Sequence, residues 1–206
     1  MQQLNREIAE EAALIAAQTG DEYQELLAKG VRYAVKEDWR KEAKVYREAI
    51  TLRPDRPEAY RNLGAALCNS AHLVEAAQRF FEAKERYPVG SEGWAMTTAR
   101  VFSMLTQEAC AEVAKPEWWN DEELNALSAR VVRAAPNDLV AHQMRAIVLC
   151  GQMCTWAVGP RSAAELKEAA TRFDRAAALH PAPAGKAHLA GQAGWCRRRA
   201  ASRQGA

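Results

Sequence analysis

The stretch AYRNLGAALCNSAHLVEAAQRFFEAKERYP, residues 59–88, decides the fold. Alanine and long charged side chains dominate it, and both favour helix. It places small residues at Gly64 and Ala83 within this helical pattern, and it ends on Pro88. Small side chains allow two backbones to approach closely, and a proline ends a helix because it has no amide hydrogen and clashes with the preceding turn. These features predict two tightly packed helices.

The pattern recurs along the chain with a fixed period. Equivalent residues 34 positions apart are Gly30 and Gly64, Tyr46 and Phe80, Ala49 and Ala83, and Pro54 and Pro88. Two later units end at Pro136 and Pro181, which follow the preceding proline of the series by 48 and 45 residues. These units therefore carry insertions of 14 and 11 residues. Such a period is typical of stacked helical repeats, in which each unit buries its apolar face against its neighbours.

The order of key residues in the quoted stretch resembles the signature of the tetratricopeptide repeat (TPR) family. The matching residues are Tyr60, Leu63, Gly64, Ala76, Phe80, Ala83 and Pro88. The resemblance covers residues 23–182 and implies an all-α fold, a right-handed superhelix of four helix hairpins. The third unit departs most from the signature, with Thr97-Thr98 in place of Leu-Gly and Ser128 in place of the aromatic residue. The chain is also similar to TPR proteins of unicellular algae, a likeness that carries no site.

We expect one α-solenoid over residues 1–206, with an extra helix at each end because terminal repeats need capping. The units span about residues 23–56, 57–90, 91–138 and 139–182. Leu4, Ile8, Ala12 and Ile15 have helical spacing and predict an amphipathic helix over residues 2–18. Residues 184–203 predict a capping helix that exposes Arg197–Arg199 to solvent. The total is ten helices.

Polar residues mark the expected helix starts. Asp55, Ser91 and Asn137 follow three of the prolines and are predicted N-caps. Asn120 with Glu123, and Ser162 with Glu165, have the spacing of capping boxes. Both pairs lie in the insertions, which we expect between the two helices of the third and fourth units.

The composition indicates a soluble, cytoplasmic protein. The formal net charge of +2 is too small to indicate nucleic acid or an anionic membrane as the partner. The N-terminal residues carry Glu7, Glu10 and Glu11 within their apolar stretch, unlike a secretory signal. No run of about 18 apolar residues predicts a membrane span. The five cysteines lack the spacing of a disulfide framework, which indicates reduced thiols.

No catalytic or metal-binding motif emerges from the sequence. The glycines are isolated, so no phosphate-binding loop is predicted, and no Ser or Cys lies in a nucleophile motif. His142, Cys150 and Cys154 have helical spacing, but no second ligand pair with zinc spacing accompanies them. We therefore interpret the two cysteines as small buried thiols. The prediction is a non-enzymatic protein that needs no cofactor and no metal.

The TPR resemblance implies a ligand-binding inner face formed by the first helix of each unit. The groove residues on this stripe are Leu27, Val31, Val35, Arg61, Asn62, Ala65, Asn69, Met96, Ala99, Phe102, Gln143, Met144 and Ile147. One TPR subclass uses Lys, Arg and Asn here to hold the acidic tails of chaperones. Only Asn62 matches that clamp, and Leu27, Val31, Glu92 and Met96 occupy its other positions. Acidic chaperone tails are therefore not the expected partner.

An apolar groove predicts an apolar occupant, such as an amphipathic helix with anchors at helical spacing. The main prediction is a protein–protein interaction scaffold. The alternative is a self-association module, whose groove is filled by its own N-terminal helix or by another copy.

The insertions carry Trp118, Trp119 and Trp156. Exposed tryptophans on one edge can form a hot spot for a partner, but we expect them to pin each loop onto its own helices. The arginine run near the C-terminus is interpreted as a solvated helix end, and nucleic acid is not predicted.

Overall fold

The computed structural model describes residues 10, 14, 20–152 and 155–203. Regular secondary structure in this part of the chain is all helical, which confirms the predicted all-α class. The α-helices are α1 (Glu22–Val35), α2 (Trp39–Leu52), α3 (Pro57–Asn69), α4 (Leu73–Arg86), α5 (Glu92–Leu105), α6 (Asp121–Ala134), α7 (Leu139–Cys150), α8 (Ala163–Leu179) and α9 (Pro183–Ser202), with a 3₁₀ turn at Glu108–Cys110. Within these residues, every helix is too short or too polar to span a bilayer. The helix predicted over residues 2–18 lies outside the described residues except for Glu10 and Leu14, which are helical.

The chain forms two compact units, Met1–Tyr87 and Pro88–Ala206. In the first unit, each helix packs on the next along the chain, from α1 to α4. In the second unit, α5 packs on both α6 and α7, and then α7 packs on α8 and α8 on α9. Contacts between helices that are neighbours in sequence therefore dominate each unit.

In the first unit, aspartate side chains cap the starts of α1 and α2. The Asp21 carboxylate accepts from the Tyr23 amide, and the Asp38 carboxylate accepts from the Lys41 amide. The prediction that Asp55 caps α3 is wrong, because the N-cap is Arg56 and makes no side-chain hydrogen bond to the helix. Pro57 occupies the first turn instead, where its missing amide hydrogen costs nothing.

Close approach between helices explains the small residues of the first unit. A Cβ atom built on Gly30 would lie 2.3 Å from Tyr46 Cε1, and one built on Gly64 would lie 2.9 Å from Phe80 Cε1. Both rings are buried, and Ala83 is fully buried. The tight packing predicted at these small residues is confirmed, and an aromatic ring from the second helix of the hairpin fills the space beside each glycine.

Caps in the second unit mostly match the sequence pattern. Ser91 and Asn120 each accept a hydrogen bond from an amide in the first turn of α5 and α6. Ser162 and Glu165 form a complete capping box at the start of α8. The predicted cap at Asn137 is wrong, because Asp138 accepts from the Ala141 amide at 2.8 Å and begins α7.

A buried arginine lies where the third repeat lacks its aromatic residue. Ser128 on α6 is fully buried. The Arg145 guanidinium from α7 donates to Ser128 Oγ at 3.2 Å and to the Asn125 carbonyl oxygen at 2.8 Å. It also donates to Glu168 of α8 at 3.1 Å. A charged, hydrogen-bonded side chain thus connects three helices at the position where the repeat pattern predicts a ring.

The C-terminal helix α9 covers the last hairpin as predicted. Leu189, Ala193, Cys196 and Ala200 are buried and belong to the same core as residues of α7 and α8. Their spacing of three or four residues places them on one face of the helix. Arg197–Arg199 are exposed, which confirms the expected solvated end.

Candidate functional site

A cavity of about 470 Å³ lies within the second unit. Its walls come from the end of α5 and the chain just after it, from α7, from one residue of α8 and from α9. A volume of this size is in the range of natural ligand sites, about 300–1,000 Å³. This cavity is the candidate functional site.

One face of α7 forms the longest wall of the cavity. Val140, Met144 and Ile147 give it apolar surface, and Gln143 gives it an amide group. Met144 is fully buried, whereas Ile147 and Gln143 are half-buried. Residues three and four apart share one face of a helix, which is why these side chains line the same wall.

The opposite wall depends on Phe102, near the end of α5. Its ring centroid lies 5.4 Å from the ring of Trp119 and 5.8 Å from the ring of Trp156. The two tryptophan rings lie 5.5 Å apart, in an edge-to-face arrangement. The two insertions therefore meet behind Phe102. Trp119 packs against a helix of its own repeat, as predicted. The prediction that each tryptophan pins its loop onto its own helices is wrong for Trp156, whose ring contacts Phe102 and Trp119 of the preceding repeat.

Asp121 holds the second insertion against α6. Its carboxylate accepts from Trp156 Nε1 at 3.1 Å, from the Gly159 amide at 3.1 Å and from both Nη atoms of Arg161. Burial raises the pKa of Asp121, but these hydrogen bonds and the Arg161 charge outweigh burial and hold the pKa below its usual range. The carboxylate is thus ionised at neutral pH and fixes the loop that supports the cavity wall.

The C-terminal helix closes the cavity. His188, Leu189 and Gln192 of α9 contribute to its lining, together with Phe173 of α8. These residues were not among the predicted groove residues, because the last helix was expected only to cap the repeats. The signal was available: a helix that covers the last hairpin takes the place of the next unit's first helix, so one of its faces lines the groove.

The lining combines apolar side chains with neutral amides. Gln107, Gln143, Gln152 and Gln192 border the cavity, and Glu108 is its one carboxylate among the described residues. Such a site binds an apolar group by burial and orients it by hydrogen bonds to neutral polar groups. The carboxylate disfavours an acidic ligand.

Four of the predicted groove residues come together in this cavity: Phe102, Gln143, Met144 and Ile147. Two other predicted groove residues lie on the same helix as Phe102 but do not line the cavity. Ala99 is fully buried, and Met96 is half-buried. Ala99 therefore contributes to the packing of α5 and presents no surface to a ligand.

The remaining predicted residues belong to the first unit. They lie on α1 and α3: Leu27, Val31, Val35, Arg61, Asn62, Ala65 and Asn69. Leu27 packs against the core formed by Tyr23, Ala49 and Ala59. Asn62 forms a side-chain hydrogen bond with Tyr46. Val35, Ala65 and Asn69 are exposed.

Two cysteines lie in the core beside the cavity. Cys150, at the end of α7, lines it, and Cys196 on α9 belongs to the same buried core. The Cys150 thiol donates to the Ile147 carbonyl oxygen at 3.5 Å and accepts from the Gln152 amide at 3.4 Å. None of the cysteines in the described part of the chain is in a disulfide. Cys154 lies outside the described residues, and the residues that are described hold no cluster of three or more potential metal ligands.

No protein-family model matches the chain, and no curated protein matches it.

Proposed function

We propose that this chain is a TPR-like interaction protein that binds an apolar or amphipathic helical segment of a partner in the cavity of its second unit. The single observation that carries the proposal is the cavity itself, which is lined by Phe102, Met144 and Ile147 and bordered by neutral amides. The 34-residue period and the glycine–aromatic contacts of the first unit support the assignment of the hairpins to TPR-like units. Binding, rather than catalysis, is the proposed activity.

The expected affinity is modest. A buried Leu or Phe side chain contributes about 1.5–3 kcal/mol, and ordering the partner offsets part of this gain. Two or three anchors in the cavity therefore give a binding free energy of about −4 to −8 kcal/mol. This corresponds to a dissociation constant in the millimolar to micromolar range. We also place the protein in a reducing compartment such as the cytoplasm, because its five cysteines lack the spacing of a disulfide framework.

The test uses a fluorescently labelled amphipathic helical peptide with leucines along one face. We expect Ile147→Glu to weaken binding at least tenfold, because a carboxylate in the apolar wall must be desolvated when the peptide binds. Ile147 is only half-buried, so the variant should still fold. The matched control is Val74→Glu, which places the same charge on an exposed valine of α4.

Equal binding by both variants would contradict the cavity as the binding site. Self-association remains the alternative, since a second copy can supply the helix. Sedimentation velocity over a concentration series separates the two: a wild-type dimer that Ile147→Glu dissociates would identify the occupant as another copy of the chain.

A further inference from the structure

A single negative charge lies at the rim of the cavity. Glu108 lines the cavity and is exposed to solvent, so its carboxylate borders the opening. With histidine neutral at pH 7, Glu108 is the one formal charge among the described lining residues. No lysine or arginine from this part of the chain lines the cavity beside it. The lining is therefore negative, although the whole chain carries a formal net charge of +2.

The Glu108 carboxylate has no role within the fold. It forms no side-chain hydrogen bond and no ion pair with the residues that the structure describes. It is not buried, so it also contributes no apolar packing. An exposed and unpaired carboxylate adds little to stability, and its charge stays free to act on a ligand.

The backbone that carries Glu108 is fixed in place. Glu108 begins the 3₁₀ turn Glu108–Cys110, and its carbonyl oxygen accepts from the Ala111 amide at 3.0 Å. Cys110 is fully buried at the end of the turn. Lys115 donates to the carbonyl oxygens of Leu105 and Cys110, at 3.3 Å and 3.1 Å, and so holds the turn from both sides. A ligand thus meets the carboxylate at a set position, which reduces the ordering cost of an ion pair.

We propose that the helix bound in this cavity is cationic, with a lysine or arginine at the edge of its apolar face that pairs with Glu108. The inference rests on the proposed function, because it names the chemistry of the partner at the same site. Charge complementarity carries it. The apolar side chains and the four glutamines of the lining accept helices of either charge, whereas Glu108 distinguishes a basic helix from an acidic one. Glu108 is therefore the residue that determines specificity.

The expected effect is a preference among partners and not a condition for binding. The Glu108 side chain is exposed, and exposed ion pairs contribute little because water and salt screen them. A lysine in place of a neutral residue in the ligand should tighten binding about two- to fivefold. A glutamate at the same place should weaken it by a similar factor, about two- to fivefold.

The test compares three versions of the leucine-faced helical peptide on the full-length protein. The residues that border the leucine face are lysine in the first version, glutamine in the second and glutamate in the third. The wild type should bind them most tightly in that order, and added salt should reduce the differences. A wild-type protein that binds the glutamate peptide as tightly as the lysine peptide would overturn the inference, and this result depends on no variant.

Charge variants assign the preference to one residue. Glu108→Lys should bind the glutamate peptide more tightly than the lysine peptide. Glu112→Lys is the matched control, because it makes the same change of charge at an exposed residue that does not line the cavity. It should keep the wild-type order of the three peptides. If the two variants behaved alike, the preference would belong to the overall charge of the protein and the inference would be wrong.

Ile147→Glu separates the failure of this inference from the failure of the proposed function. If the wild type binds all three peptides equally and Ile147→Glu weakens each of them, the cavity is still the binding site and only the cationic partner is wrong. If Ile147→Glu leaves all three affinities unchanged, the proposed function fails and this inference fails with it. A wild-type dimer that Glu108→Lys dissociates would show that a second copy fills the cavity, which overturns a separate partner.

Discussion

At the scale of single residues, glycine and aromatic side chains occupy complementary positions in the first unit. The ring of Tyr46 fills the space beside Gly30, and the ring of Phe80 fills the space beside Gly64. The sequence predicted these positions because both members of each pair recur with the same 34-residue period. It did not predict the contact of Arg145 with Ser128, because a single polar substitution in one repeat has no periodic signal.

Substitution of Gly64 by alanine tests this packing. The new Cβ would lie 2.9 Å from a ring atom of buried Phe80, so we expect a loss of about 1–3 kcal/mol in the free energy of unfolding. Gly191 on α9 is the matched control, since its added Cβ would meet nothing within 4 Å. Gly191→Ala should stabilise the protein by about 0.5–1 kcal/mol through helix propensity. Urea unfolding of both variants measures the difference, and two effects of the same sign would contradict close packing at Gly64.

A buried carboxyl group predicts a pH dependence of stability. Glu42 on α2 is buried, and its Oε2 atom has no hydrogen-bond partner among the described residues. Burial raises the pKa of Glu42 from 4.5 to about 7. The unfolded chain loses this proton as the pH rises past its ordinary pKa, while the native state keeps it until about pH 7. The contribution of Glu42 to stability therefore falls over this window and is constant above it.

Glu42→Gln should remove this pH dependence. We expect the stability of the variant relative to the wild type to rise by about 3 kcal/mol between pH 4 and pH 8, because only the wild type must keep a carboxyl group buried whose native pKa is raised to about 7. Thermal unfolding at a series of pH values measures the change. Glu48→Gln, at an exposed position of the same helix, is the control. It should change the stability by the same amount at every pH. Parallel curves for wild type and Glu42→Gln would show that Glu42 ionises normally in the native state.

At the scale of elements, the sequence predicted where the insertions occur but not what holds them. Their position between paired helices followed from the spacing of the prolines. Their anchors are contacts between residues far apart in the chain, such as Asp121 with Arg161. Contacts of this kind leave no pattern in a single sequence. The tryptophans were a usable signal, because large rings on loops are usually buried, but the sequence could not identify Phe102 as the surface on which they pack.

Asp121→Asn should loosen the second insertion. The substitution removes the negative charge beside the Arg161 guanidinium, which is 7% exposed, so we expect a loss of about 2–3 kcal/mol. Asp174→Asn is the control, because Asp174 pairs with Arg197 on the exposed surface and should cost less than about 1 kcal/mol. Urea unfolding followed by circular dichroism measures the stability of both variants. Equal costs for the two substitutions would mean that Asp121 does not anchor the loop.

At the scale of the whole molecule, the repeat pattern predicted an all-helical chain and four residues of the cavity. It could not predict that the helices form two compact units, because the spacing of the repeats is continuous across Pro88. It also could not predict the closed end of the cavity. That end depends on which face α9 turns toward α7 and α8, and α9 has little amphipathic pattern, with alanine and glycine on several sides.

The division into units predicts that residues 88–206 fold alone. This fragment contains the shared core of α7, α8 and α9, the tryptophan cluster behind Phe102, and the whole lining of the cavity. We expect it to show a helical circular dichroism spectrum, to unfold cooperatively, and to bind the amphipathic peptide as the full chain does. The control fragment, residues 121–206, lacks α5 and Phe102 and so exposes the apolar face of α7; it should bind the peptide far more weakly or aggregate. If residues 88–206 were unfolded in isolation, the second unit would depend on the first for its stability, and the cavity could not be treated as a property of one unit.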